Sequence, residues 1–180
     1  INTFNFEIIK QTLETIYYVY RIRGDYAVGF RLLLEAYSLF DDPRVRKNHL
    51  PLYVQFKGMI AIYAQMVNNQ DLALRQATEA YELALQLNLT NEIARSLLAL
   101  CIYHVFNGVL EDARIYGEQA LILYQNIDNI EEQTSIYINL AYTYQLMGKY
   151  IKAENLFTEL VTINEAKNNI HEMAQGNIWL

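Results

Sequence analysis

One short pattern returns along the chain at a fixed step, and few folds can use such a sequence. Gly148-Lys149-Tyr150-Ile151-Lys152-Ala153, followed by Phe157 and Leu160, has a counterpart 40 residues earlier in Gly108-Val109-Leu110-Glu111-Asp112-Ala113, followed by Gly117 and Ala120. A further 40 residues back stand Asn68, Gln70, Ala73, Ala77 and Ala80, and 44 before those come Gly24-Asp25-Tyr26, Gly29, Leu33 and Ala36. Glu92, Glu132 and Glu172 keep the same step, each after a turn rich in Asn, Thr or Asp. Periods of this size mark supersecondary units that bury their apolar faces only against their neighbours.

Inside each unit the hydrophobic period is helical. Tyr137, Leu140, Ala141 and Tyr144 follow the i, i+3, i+4, i+7 spacing of one helix face, and Tyr150, Ala153, Phe157 and Leu160 form a second such segment. Leu97, Leu100, Cys101 and His104 match the first segment one unit earlier, and Leu13, Ile16, Tyr17 and Tyr20 match it in the first unit. Gly148, between the two segments, suits a left-handed residue that ends one helix and lets the chain turn back. Small residues at Ala141, Cys101, Ala153, Ala113, Gly29 and Ala120 let paired helices approach closely. With only 2 Pro and 7 Gly, and a hydrophobic fraction of 53%, the chain is an ordered all-α protein. Helices are predicted at 5–22, 25–40, 50–67, 70–87, 91–107, 110–126, 130–147 and 150–167, with a ninth beginning near 170.

The small-then-aromatic first helix, the Gly-x-Tyr turn and the Ala-then-aromatic second helix resemble the tetratricopeptide repeat over nearly the whole chain. That resemblance implies a right-handed superhelix of antiparallel helix pairs, a TPR-like α-solenoid. It gives one domain over 1–180 with repeats at about 5–46, 50–89, 90–129 and 130–169 and the start of a fifth at 170–180. The second unit carries least of the pattern. Lys57 falls where an apolar residue is expected, although Leu52, Phe56, Met59, Ile60, Tyr63 and Val67 form a clean stripe. Its first helix therefore reads as shifted by about one residue, after a longer connection from Asp41 to Pro51. The step of 40 exceeds the ~34 residues usual for this repeat. Such long versions are similar to the sensory arrays of bacterial signalling regulators.

No residue pattern calls for catalysis, a metal or a cofactor. His49, His104 and His171 have no His-x-x-x-His or Cys-pair companion, and no phosphate loop or nucleophile elbow occurs. Cys101 reads as a small buried residue and His104 as a core or half-core residue. Asp41/Asp42, Glu111/Asp112 and Glu131/Glu132 sit at turns or helix starts, where they complement the helix dipole. Net charge is −6, and the densest basic stretch, Arg44, Arg46, Lys47 and His49, reads as a solvated loop, so no nucleic-acid partner is expected. No apolar run is long enough to span a membrane. A single Cys points to a reducing, cytoplasmic setting. Arg23-Gly24-Asp25 is an inter-helix turn rather than an adhesion signal, and Asn88-Leu89-Thr90 a helix-capping loop rather than a glycosylation site.

The resemblance places a ligand groove along the first helices of the repeats, which line the concave surface. In the fourth unit this face is Ser135, Ile138, Asn139, Tyr142, Gln145 and Leu146. In the third it is Arg95, Leu98, Ile102, Val105 and Phe106. The first unit gives Gln11, Glu14, Tyr18, Arg21 and Ile22, and the second Gln55, Met59, Ile62 and Gln65. In peptide-binding members an Asn at the position of Asn139 bonds the ligand backbone, donating and accepting at once. Arg95 can pair with a ligand carboxylate, or with Glu92 on its own helix. Thr15 and Ala99 stand at the positions equivalent to Asn139, which departs from the carboxylate-clamp pattern of the family. The expected ligand is thus an apolar or amphipathic protein or peptide segment with a few polar anchors.

The expected role is a non-catalytic sensor domain of a larger bacterial signalling protein, since the sequence opens at Ile1 and closes inside an apolar pattern at Trp179-Leu180. Alternatives are a scaffold, with homodimer formation through the apolar end at Ile178, Trp179 and Leu180, or the input domain of a diguanylate cyclase, kinase or peptide-responsive transcription factor.

Overall fold

A computed structural model describes residues 6–127 and 130–166. Its helices are α1 (Phe6–Arg23), α2 (Tyr26–Tyr37), α3 (Pro43–Asn48), α4 (Leu50–Met66), α5 (Gln70–Gln86), α6 (Thr90–Phe106), α7 (Leu110–Tyr124), α8 (Ile130–Leu146) and α9 (Tyr150–Ala166). No strand occurs among the described residues. The predicted ninth repeat helix, with His171, Glu172, Ile178, Trp179 and Leu180, lies outside them.

The turns explain why the pairs fold back. Gly24, Asn68, Asn88, Gly108 and Gly148 all have positive φ, between 53° and 73°. The residue after each donates its N–H five residues back: Asp25 to Tyr20 O, Asn69 to Ala64 O, Leu89 to Ala84 O, Val109 to His104 O and Lys149 to Tyr144 O, at 2.7–3.0 Å. This closes a Schellman motif and satisfies carbonyls that the helix end leaves open. Asn68 stands 40 residues before Gly108, so the second unit turns on Asn where the others use Gly. An Ala at Gly148 would meet no atom within 4 Å but would be held at φ +72°. Gly148→Ala is therefore expected to cost about 1 kcal/mol, read as a drop of a few degrees in Tm.

The chain contacts itself in two compact units, residues 1–92 and 93–180. In the first, α2 packs on α1 and α4, and α4 on α5. Its core holds Leu13, Tyr17, Leu33, Phe40, Phe56, Met59, Ile60 and Tyr63, all nearly inaccessible. The Tyr63 hydroxyl donates to the Tyr17 carbonyl at 2.6 Å. In the second unit α8 packs against α7 and α9. Tyr137, Leu140, Ala141 and Tyr144 of α8 meet Ala153, Leu156, Phe157 and Leu160 of α9 in one buried cluster.

Two expectations are corrected. The connection after α2 is not a loop: a 3-10 turn (Ser38–Asp41) leads into α3, capped by Asp42, whose carboxylate accepts from the Arg44 N–H at 2.8 Å, with Pro43 at the first helical position. The basic stretch is nonetheless spent locally, since Arg44 pairs with Asp42 and Arg46 donates twice to Phe40 O. The first helix of the second unit is not shifted, either. α4, α6 and α8 start at Leu50, Thr90 and Ile130, in one unbroken step. Lys57 occupies the core position of Leu97 and Tyr137 and is 3% exposed. Its ammonium is satisfied there by Gln76 Oε1 at 3.2 Å and by Glu79, and lies 4.9 Å from the Tyr53 ring centre.

Candidate functional site

The repeat register assigned one face of α6 and α8 to ligand, and the structure grades that face from closed to open along each helix. On α6, Arg95, Leu98, Ile102 and Val105 are 5%, 0%, 4% and 6% exposed, whereas Phe106 is 59% exposed. On α8, Ser135 is buried, Ile138 is half-buried against the α8–α9 cluster, and Tyr142 and Leu146 are exposed at 37% and 46%. The accessible part of this face is therefore the C-terminal end of each helix, Phe106 on α6 and Tyr142 with Leu146 on α8. Leu98, Ile102, Val105 and Ser135 belong to the interior rather than to an open groove, as do Gln55, Met59, Ile62 and Gln65 of α4.

Arg95 is not an open ligand anchor. Its Nε donates to Glu132 Oε1 of α8 at 3.0 Å, with both side chains buried. A buried carboxylate and guanidinium tolerate loss of water only by facing each other. In α1, half-buried Arg21 donates to the Tyr17 hydroxyl at 2.8 Å and covers its ring at 5.3 Å. Tyr18 is half-buried beside it, edge-on to Tyr17, and Ile22 is 57% exposed.

Asn139 sits at the middle of α8, one turn before exposed Tyr142, and is half-buried. Its Nδ2 donates to the Ser135 carbonyl one turn back at 2.8 Å, and its own carbonyl accepts from Thr143 Oγ1 at 2.7 Å. Only nitrogen can donate to that carbonyl, so the amide orientation is fixed by chemistry. One N–H is used on the helix, which holds the rotamer and leaves the second N–H and Oδ1. Gln145 is half-buried on the same helix.

Beyond this face, one cluster of titratable groups is engaged within the second unit. Arg114 of α7 bonds Glu111 and Glu118, and Glu118 accepts from the Tyr144 hydroxyl. Burial raises the Glu118 carboxyl, but the Tyr144 and Arg114 hydrogen bonds outweigh it and hold the pKa low. Burial and the Glu118 bond push the Tyr144 phenol up to about 12. Burial also pushes the Cys101 thiol up to about 12, leaving it protonated and a poor nucleophile. Among the described residues no His/Cys/Asp/Glu group could hold a metal, and no helix is long and apolar enough to cross a membrane.

His104 stacks on Tyr116 at 5.3 Å, with Asp112 at 3.9 Å. Burial lowers its pKa, more than Asp112 raises it. Below roughly 6.5, where the unfolded imidazole takes its proton, the folded one resists, so its stabilising share is full above that pH and is lost as pH falls through the lowered folded value. His104→Phe is expected to flatten the fall of Tm between pH 7 and pH 5; an unchanged slope would assign that limb to other groups.

No protein-family model matches the sequence, and no curated protein matches it. Solved structures do. BtubC (BKLC) from P. vanneervenii superposes with a TM-score of 0.63 at 16% identity, over 95% of this chain and 69% of that one. A putative kinesin light chain from Podosopora anserina, with nearly identical TPR-like repeats, gives 0.59 at 16% identity over 94% and 85%. The chain has the fold of these TPR-like helical-repeat solenoids.

Proposed function

We propose that this chain is a protein-interaction module that grips a peptide segment on the C-terminal ends of α6 and α8. The observation that carries the reading is the exposure of Phe106, Tyr142 and Leu146 on the repeat face that also holds half-buried Asn139, whose amide is set by its bond to Ser135. Isolated exposed apolar side chains are ordinary, but a face of aromatic and aliphatic residues bearing a pre-set amide suits a peptide. Tyr18 and Arg21 belong to the first unit and are not counted with this face; Arg21 is engaged there with Tyr17.

The larger role is that of a cytoplasmic sensor or regulatory domain in a bacterial signalling protein, itself non-catalytic. The fold shared with interaction-type repeats and the 40-residue step support this reading. The direct test is a binding assay with partner-derived or displayed peptides. Phe106→Ala, Tyr142→Ala and Leu146→Ala should each weaken binding by about tenfold or more, with Tm held near wild type. Unchanged affinity in all three, with the fold intact by circular dichroism, would remove the assignment. Light scattering of the same proteins separates ligand binding from self-association, since a scaffold would lose oligomerisation instead.

A further inference from the structure

The distribution of charge selects the ligand further. From Ser96 to Leu110 the chain holds no Asp, Glu, Lys or Arg, and none occurs from Gln133 to Gly148. These stretches contain the open C-terminal ends of α6 and α8. Toward their N-terminal ends Arg95 and Glu132 are buried and neutralise each other at 3.0 Å, and Glu92 stands in the first turn of α6, at the opposite end of that helix from Phe106. His104, the nearest titratable side chain on α6, is engaged with Tyr116 and Asp112 of α7. The second helices of the same unit are the opposite case. Glu111 and Asp112 on α7 and Glu154, Glu159 and Glu165 on α9 are exposed.

We infer that the α6–α8 face takes an uncharged segment of a protein partner, aliphatic or aromatic with Asn, Gln, Ser or main-chain groups as its polar anchors. The inference rests on the binding face proposed above. A charged ligand side chain laid on the open part of α6 or α8 would give up water with no counter-charge from either helix there, Lys149 standing only in the turn that follows α8. An acidic ligand would in addition approach a chain of net charge −6. Apolar groups lose nothing comparable, and Asn139 and Gln145 can each donate and accept with a main-chain amide. Recognition of this kind is short-ranged, so added salt has little to screen.

Selection of a random displayed peptide library against the intact chain tests this. Each enriched clone is assigned to the face by loss of binding to Tyr142→Ala and, independently, to Leu146→Ala. The expected result is that assigned clones share a core free of Asp, Glu, Lys and Arg, and that their affinity changes by less than about twofold between low and physiological ionic strength. Assigned clones with conserved charged residues and affinities that fall steeply with salt would overturn the neutral-ligand inference and leave the binding face standing. If binders are recovered but none responds to either substitution, the face itself is wrong and the inference goes with it.

Discussion

Glu132→Ala is expected to destabilise the protein by about 3–5 kcal/mol, measured as the free energy of urea unfolding. The carboxylate is fully buried, and the Arg95 guanidinium it faces is 5% exposed. Removing the carboxylate takes away the buried counter-charge that the guanidinium faces at 3.0 Å. The loss is large beside the 5–15 kcal/mol that typically separates folded from unfolded domains. Arg95→Ala should cost a similar amount, because it takes the counter-charge from the carboxylate instead. The informative companion is the double variant Arg95→Met with Glu132→Leu, expected to recover most of the loss, since apolar pairs of similar volume often replace buried ion pairs without penalty. The chain already carries such an exchange in part: Leu52 stands two repeats before Glu132. If Glu132→Ala costs less than about 1 kcal/mol, water reaches the pair and the closed half of this face is more open than the structure makes it.

That pair also shows where the sequence stops being legible. The repeat register correctly placed Arg95 with Gln55 and Ser135, but register states only which face of a helix a residue occupies. Whether a later helix covers that face depends on contacts far along the chain. Glu132 is 37 residues away, outside any local pattern that would favour Glu92 three residues off. Exposure of Tyr142, Leu146 and Phe106 follows from helix facing rather than from nearness to the turns, since Tyr144 and Val105 beside them are buried. Turn chemistry was readable throughout, since a left-handed residue needs Gly or Asn and both recur in step. Lys57 misled because a charged residue at a core position argues for a slipped register. Only Glu79 and Gln76, on the next helix, show how the ammonium is accommodated. The short helix α3 did have a signal, Asp42 followed by Pro43, which is a cap and first-turn pair.

Gly29→Ala should cost about 2–3 kcal/mol, although Gly to Ala inside a helix ordinarily gains about 1 kcal/mol. The reason is contact, not backbone conformation. A Cβ at position 29 in α2 would lie 2.4 Å from Tyr63 Cε1 and 2.9 Å from Tyr20 Cβ. Tyr63 cannot yield cheaply: its ring is fully buried, edge-on to Tyr26 at 5.8 Å, and its hydroxyl is tied to the Tyr17 carbonyl. Turning the ring away breaks that bond inside the core, where an unmet polar group costs about 1–3 kcal/mol. Gly117→Ala on α7 is the control. Its Cβ would meet Leu140 Cδ1 at 2.9 Å and Cys101 Sγ at 3.2 Å, and the first of these is the end of a flexible side chain. That change should stay within about 1 kcal/mol of wild type, as the propensity gain offsets a small adjustment. Tyr63→Leu in the Gly29→Ala background should return part of the loss, because it removes the ring that the methyl group strikes. Tyr63→Phe should not, since it deletes the hydroxyl and keeps the ring. A Gly29→Ala protein more stable than wild type would mean that α2 and α4 sit farther apart than described, and that the glycine is a tolerated accident of sequence rather than the residue that lets Tyr63 cross α2.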